Sequence, residues 1–99
     1  MHTVIRRYQV VQDTAEVARR AVEEFAPTLR DAPGFQSYWV VDAGDGILAT
    51  ISVFDSEEAA EESTAAAATW VQENLPNLVP NPPQVTKGDA TGVTAGVPA

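Results

Sequence analysis

Hydrophobic and polar positions along the chain fall into two copies of one pattern, a strand followed by an amphipathic helix. The first copy runs from Thr3 to Leu29. Residues Thr3 to Val11 are rich in β-branched and aromatic side chains, with Val4, Arg6, Tyr8 and Val10 alternating with Ile5, Arg7, Gln9 and Val11. Large side chains in both phases predict a central strand covered on two sides. A helix then follows in which Val17, Ala21, Val22, Phe25 and Leu29 form one stripe, with Arg19, Arg20, Glu23 and Glu24 largely outside it. Asp13 is its expected N-cap, with Glu16 completing an Asp form of the capping box. Pro27 is expected to kink its last turn, and Asp31-Ala32-Pro33-Gly34 to end it.

The second copy runs from Gly46 to Leu75. Strands Phe35 to Asp42 and Gly46 to Phe54 are joined by Ala43-Gly44-Asp45-Gly46, a hairpin turn whose glycines supply positive φ. Asp55 is the expected cap of an alanine-rich helix reaching about Leu75, with Ala59, Ala66, Trp70 and Val71 on its apolar side. Glu57, Glu58, Glu61 and Glu62 favour the positive end of that helix dipole. Leu75-Pro76 ends it, and Asn77 to Pro83 reads as a stiff extended connection. Gln84 to Thr91 is a weaker strand broken by Gly88.

The order is therefore βαββαβ. It predicts an α+β, ferredoxin-like domain over residues 1–91, a four-stranded antiparallel sheet in order 4-1-3-2 with two helices on one face. Residues 92–99 read as a flexible tail. The uncovered sheet face would carry apolar side chains that should not remain in water, so a homodimer packed sheet to sheet is expected.

Charge narrows the partners. The net charge is −8. Residues 1 to 31 balance five Arg against five acids, so the rest, with nine acids and only Lys87, accounts for all of it. Such a surface repels phosphate backbones, and nucleic acid is not an expected partner. Uncharged stretches such as Ala32 to Val41 and Ser63 to Gln72 are shorter than a membrane span needs, and the N-terminus has no signal-like apolar run. A soluble cytoplasmic protein is expected. With no cysteine there is no disulfide, thiolate nucleophile or thiolate metal site. No metal-ligand spacing occurs, and His2, the lone histidine, is expected to fray into solvent ahead of the first strand. No metal and no cofactor are called for.

Arg6 and Arg7 are the pair of greatest chemical interest. Neighbours on a strand point to opposite faces, so one guanidinium enters the helix layer. The plainer reading gives a buried Arg a carboxylate partner; the sharper one makes it an anchor for a carboxylate or phenolate ligand. Tyr8, Tyr38, Trp39 and Trp70 complete the ligand-binding candidates, either as core filler or as walls of a flat apolar pocket. No catalytic residue can be assigned. A ligand-binding protein should show accessible space between sheet and helices with an Arg, Tyr or Trp polar group directed inward. A purely structural dimer should fill that space with Phe25, Leu29, Trp70 and Val71.

Several segments give the chain a family likeness. Arg6-Arg7-Tyr8, the Ala32-Pro33-Gly34-Phe35 strand entry, the Val41-to-Gly46 hairpin, and Trp70-Val71 with Glu73-Asn74-Leu75 make it resemble small bacterial proteins of the dimeric α+β barrel superfamily. That group includes the antibiotic-biosynthesis-monooxygenase-like domains. The resemblance implies two sheets closing a barrel across a dimer and a small aromatic or anionic ligand between the sheet and helices of each subunit. It also implies, as an alternative function, a cofactor-independent monooxygenase acting on a phenolic or polyketide-like aromatic. Some relatives degrade haem with an Asn, a Trp and a His. Trp70 matches the Trp, but no His follows it.

Overall fold

The computed structural model describes residues 1–92. Most of the expected tail, 93–99, lies outside the described residues. The strands are β1 (His2–Gln9), β2 (Phe35–Gly44), β3 (Ile47–Phe54) and β4 (Gln84–Asp89). They form one antiparallel sheet in the order β2-β3-β1-β4, which is the expected order read from the other edge. Helices α1 (Thr14–Arg20), α2 (Ala26–Arg30) and α3 (Glu57–Asn74) cover one face. This is the ferredoxin-like α+β fold that the alternation of elements predicts.

Strand alternation decides what each face holds. His2, Val4, Arg6 and Tyr8 of β1, with Leu48, Thr50, Ser52 and Phe54 of β3, turn toward the helices and are buried. Two apolar clusters fill that layer. One gathers Val4, Phe25, Leu29, Phe54, Ala60 and Ala67; the other gathers Tyr8, Val10, Val17, Leu48, Leu75 and Val79. Trp70 packs against both.

The hairpin turn forms as its glycines require. Asp45 and Gly46 have φ of 55° and 75°, the double positive φ of a type I′ turn. Gly46 is also fixed by contact: its carbonyl accepts from the Val10 N–H at 2.7 Å, and a Cβ there would stand 2.7 Å from the Val10 oxygen.

Several local expectations are corrected. β1 starts at His2, not Thr3, and His2 is buried rather than frayed, because both neighbours of the central strand reach it: His2 pairs with Phe54 on β3 and Asp89 on β4. Asp13 stands at the N-cap of α1 as expected but without a side-chain bond, and Asp55 does not cap α3. The Asp13 backbone sits in the left-handed region at φ 59°. Ser56, not Asp55, caps α3 by accepting from the Ala59 N–H at 3.2 Å, while the Asp55 carboxylate accepts from Gln36.

The first helix is not continuous. A π-helical turn, Ala21–Phe25, separates α1 from α2, and the Ala26 N–H reaches the Ala21 carbonyl. Pro27 has no N–H to give, and its ring would strike the carbonyl four residues back, so a wider turn relieves the crowding just ahead of it. That extra residue rotates Val22 out to 53% exposure while Phe25 and Leu29 stay buried. On α3 the buried positions are Ala60, Ser63 and Ala67, one residue from the expected stripe, with Ala59, Ala66 and Trp70 at its margin. Gly88 does not break β4.

The opposite face of the sheet has no helix. Ile5, Trp39 and Val41 are exposed there, and Ile51 joins Ile5 to Trp39 in a single cross-strand row.

Candidate functional site

Burial of Arg6 follows from β1 being central. Its phase points inward and α3 crosses above it, so the side chain is 1% exposed, among the largest fully buried side chains in the protein. No carboxylate among the described residues reaches it. The guanidinium is held by hydroxyls instead: Nη1 donates to Ser52 Oγ at 3.2 Å, and Nη2 donates to Ser63 Oγ at 3.2 Å and Thr64 Oγ1 at 2.8 Å. Ser63 and Thr64 in turn donate to the Ala60 carbonyl at 2.6 and 3.1 Å. The expected ion pair is therefore replaced by neutral acceptors, which disperse the charge without cancelling it.

The donor count is left incomplete. A guanidinium has five N–H donors. Three are taken, leaving Nε–H and one Nη1 proton, and Nε is buried with no partner. Thr50 Oγ1, on the residue paired with Arg6 across β3, is likewise buried and unpartnered. Burial pulls the Arg6 pKa down, while the nearby Tyr8 and Tyr38 phenols pull it back up. Burial raises both tyrosines above the usual phenol range, with Arg6 opposing the rise. At neutral pH the cluster is a cation beside two neutral phenols, a set of donors with no base.

Two spaces adjoin this cluster. The inner one lies among Arg6, Tyr8, Tyr38, Thr50, Phe25 and Trp70 and holds about 20 Å³, room for one water. Phe25 closes it, with ring centroids 5.5 Å from Trp70 and 6.1 Å from Tyr38. The outer one is a groove of about 380 Å³ between α3, the β1–β4 edge and the proline segment, with Arg6 and Tyr8 at its floor, Thr64, Ala68 and Val71 on one wall and Val79 to Pro83 on the other. That volume lies within the range of small-molecule sites. The interior is thus filled by the residues a structural dimer would use, while ligand-sized space opens beside it.

Of the six candidates from the sequence, Arg6, Tyr8, Tyr38 and Trp70 meet in the helix-facing layer. Arg7 and Trp39 do not join them. Arg7 borders a shallow surface groove with Gln9 and Gln84, and Trp39 is 64% exposed on the uncovered face. Ser63, Thr64 and the Val79-to-Pro83 wall escaped sequence reasoning. The signal for the first two was present: they are the only hydroxyls interrupting Ala59–Ala68 on α3, at the spacing of its buried side.

A family model described as antibiotic biosynthesis monooxygenase matches residues 1–69, from β1 through most of α3. The chain belongs to that family. Solved structures with the same fold include Rv0793 from Mycobacterium tuberculosis, 20% identical with a TM-score of 0.71 over 95% of this chain and 98% of that one. The ActVA-Orf6 monooxygenase of Streptomyces coelicolor, in complex with nanaomycin D, is 19% identical with a TM-score of 0.74, over 96% and 91% of the two chains. SnoaB from Streptomyces nogalater, a cofactor-independent oxygenase, is 18% identical with a TM-score of 0.70 over 96% and 97%. At these identities the likeness is one of fold. Among curated proteins none matches the chain. The family match stops before Trp70, so Val71 and the wall from Val79 to Pro83 lie outside it.

Among the described residues no three His, Asp or Glu side chains gather to hold a metal ion, and no helix is long and apolar enough to cross a membrane.

Proposed function

We propose that this antibiotic biosynthesis monooxygenase family member binds a small aromatic ligand in the groove floored by Arg6 and Tyr8, without a cofactor, as a cytoplasmic homodimer. The groove carries the reading: about 380 Å³ of largely apolar space that reaches the buried guanidinium of Arg6. Flat rings fit between Val71 and Ala68 on one side and the proline segment on the other, where burial of apolar area supplies the affinity. Homodimerisation rests on the uncovered face, whose Ile5, Trp39 and Val41 form a contiguous apolar surface on a chain of this size.

The alternative activity is cofactor-independent monooxygenation of a phenolic aromatic, supported by the family match and by what the fold neighbours are. In that reaction the ring's own electrons reduce oxygen. One oxygen atom enters the ring as a quinone carbonyl, and the other leaves as water with the phenolic proton and the displaced ring hydrogen. Tyr8 and Tyr38, held neutral, serve as hydrogen-bond donors and not as bases.

Tryptophan fluorescence titration with hydroxylated naphthalenes tests binding, since Trp70 Cα lies beside the groove residue Val71. Saturable quenching that Ala68→Trp abolishes is expected; a linear response that this groove-filling change leaves untouched would refute the site. Oxygen uptake with a naphthol separates the two readings, because binding without uptake leaves a binding protein.

A further inference from the structure

A cation in a core is costly. Moving it out of water opposes folding unless a counter-charge and a full set of hydrogen bonds replace the water. Arg6 has neither: it meets three hydroxyls, no carboxylate among the described residues, and its Nε–H points at no acceptor. Its neighbours leave no hidden anion to close the account. From its own strand and from β2 the titratable groups that act on it are the neutral phenols Tyr8 and Tyr38, while Arg7 of β1 and Asp42 of β2 are exposed. From α3 it receives Ser63 and Thr64, and from β3 Ser52 and Thr50. On β4, Lys87 turns away to Glu61 at 3.7 Å.

The missing charge faces a groove of ligand size. Arg6 lines both the one-water cavity and the groove, and Thr64, which accepts from it, lines the groove too. We propose that Arg6 is an anion-binding residue and that the groove selects ligands carrying a carboxylate or phenolate oxygen over neutral rings of the same shape. Thr50 Oγ1, buried and unpartnered, lines the one-water cavity with the guanidinium and supplies a further partner to a water there that bridges to that oxygen. The inference rests on the groove being the ligand site, and it adds the charge state of what binds there. It follows that the site receives its ligand already ionised, because no carboxylate or histidine lines the groove to take a proton.

The test compares 1-naphthoate with 1-naphthamide, equal in shape and different in charge, by calorimetric titration at neutral pH. Naphthoate is expected to bind at least about tenfold more tightly, the scale of one charge-assisted hydrogen bond. Arg6→Met should erase that preference and leave naphthamide binding in place. Thr50→Val, nearly isosteric, should weaken naphthoate several-fold while raising the melting temperature, since it removes a buried hydroxyl without a partner. Equal binding of the two compounds by the natural protein overturns the anion assignment and leaves the groove standing. Binding of neither removes the groove itself. If Arg6→Met fails to fold, Arg6→Gln decides, since it keeps donors for the surrounding hydroxyls without the charge: a variant that still prefers naphthoate about tenfold overturns the proposal.

Discussion

Arg6 and Arg7 are chemically identical and adjacent, yet the sheet sends them into opposite surroundings. Arg6 lies under α3, encircled by hydroxyls and almost wholly buried at the floor of the groove. Arg7 lies on the uncovered face, paired in register with Ala49 and Gln84, near the exposed row of Ile5 and Trp39. The difference is one step in a period of two. It teaches that the two faces of this sheet use apolar material differently. The helix face spends it on a closed core around one charge, and the other face leaves it on display for a second surface. Net charge and composition are blind to that distinction; only phase along β1 and β3 reveals it.

The contrast breaks most visibly with core truncation. Phe54, fully buried and stacked edge-on to Phe35 at 5.8 Å, should cost about 3–5 kcal/mol when changed to Ala. The adjacent Val53→Ala, on the other face, should cost well under half as much in urea unfolding of the monomer. Similar losses at both positions would mean the back face is already covered within one chain.

Next in size is the effect on self-association. Ile5→Asp places a carboxylate in the exposed row in both copies of a symmetric interface, so association should weaken by about a hundredfold or more. Sedimentation at micromolar concentration reads this directly, with the circular dichroism spectrum unchanged. A natural chain that sediments as a monomer at that concentration removes the dimer.

The smallest effect sharpens the helix face alone. Tyr8 and Tyr38 have pKa values raised by burial, so the unfolded chain loses their protons first as pH rises. Their contribution is whole below the ordinary phenol pKa of about 10 and is lost progressively above it, at up to about 1.4 kcal/mol per pH unit for each. Urea midpoints between roughly pH 9 and 11 should therefore fall, and Tyr38→Phe should flatten the slope. An unchanged slope in that variant would place the phenol in contact with water.

Much of this architecture is legible in the residues. Strand order, the Asp45-Gly46 turn and the split of Arg6 from Arg7 all follow from period-two alternation and backbone chemistry. What escaped depends on tertiary neighbours. Asp55 looks like a cap, but its N–H bonds to the Gly34 carbonyl at 2.8 Å and its carboxylate to Gln36, so Ser56 takes the role. The stripe on α3 slips by one because alanine on every side gives weak periodicity, and Ser63 faces inward, where it accepts from Arg6. The π turn ahead of Pro27 could be foreseen as a disturbance but not as an inserted residue. The groove escaped altogether, since its far wall is a loop with no periodic pattern.

That loop carries a further consequence. Across Pro80, Asn81, Pro82 and Pro83 only Asn81 owns a main-chain amide hydrogen, while all four offer a carbonyl oxygen. The rim is therefore rich in lone pairs and poor in protons, the reverse of the guanidinium below it. A guest carrying an acidic group at one end and a hydroxyl at the other has a single polarity that satisfies both: head down on the floor, hydroxyl up to the rim.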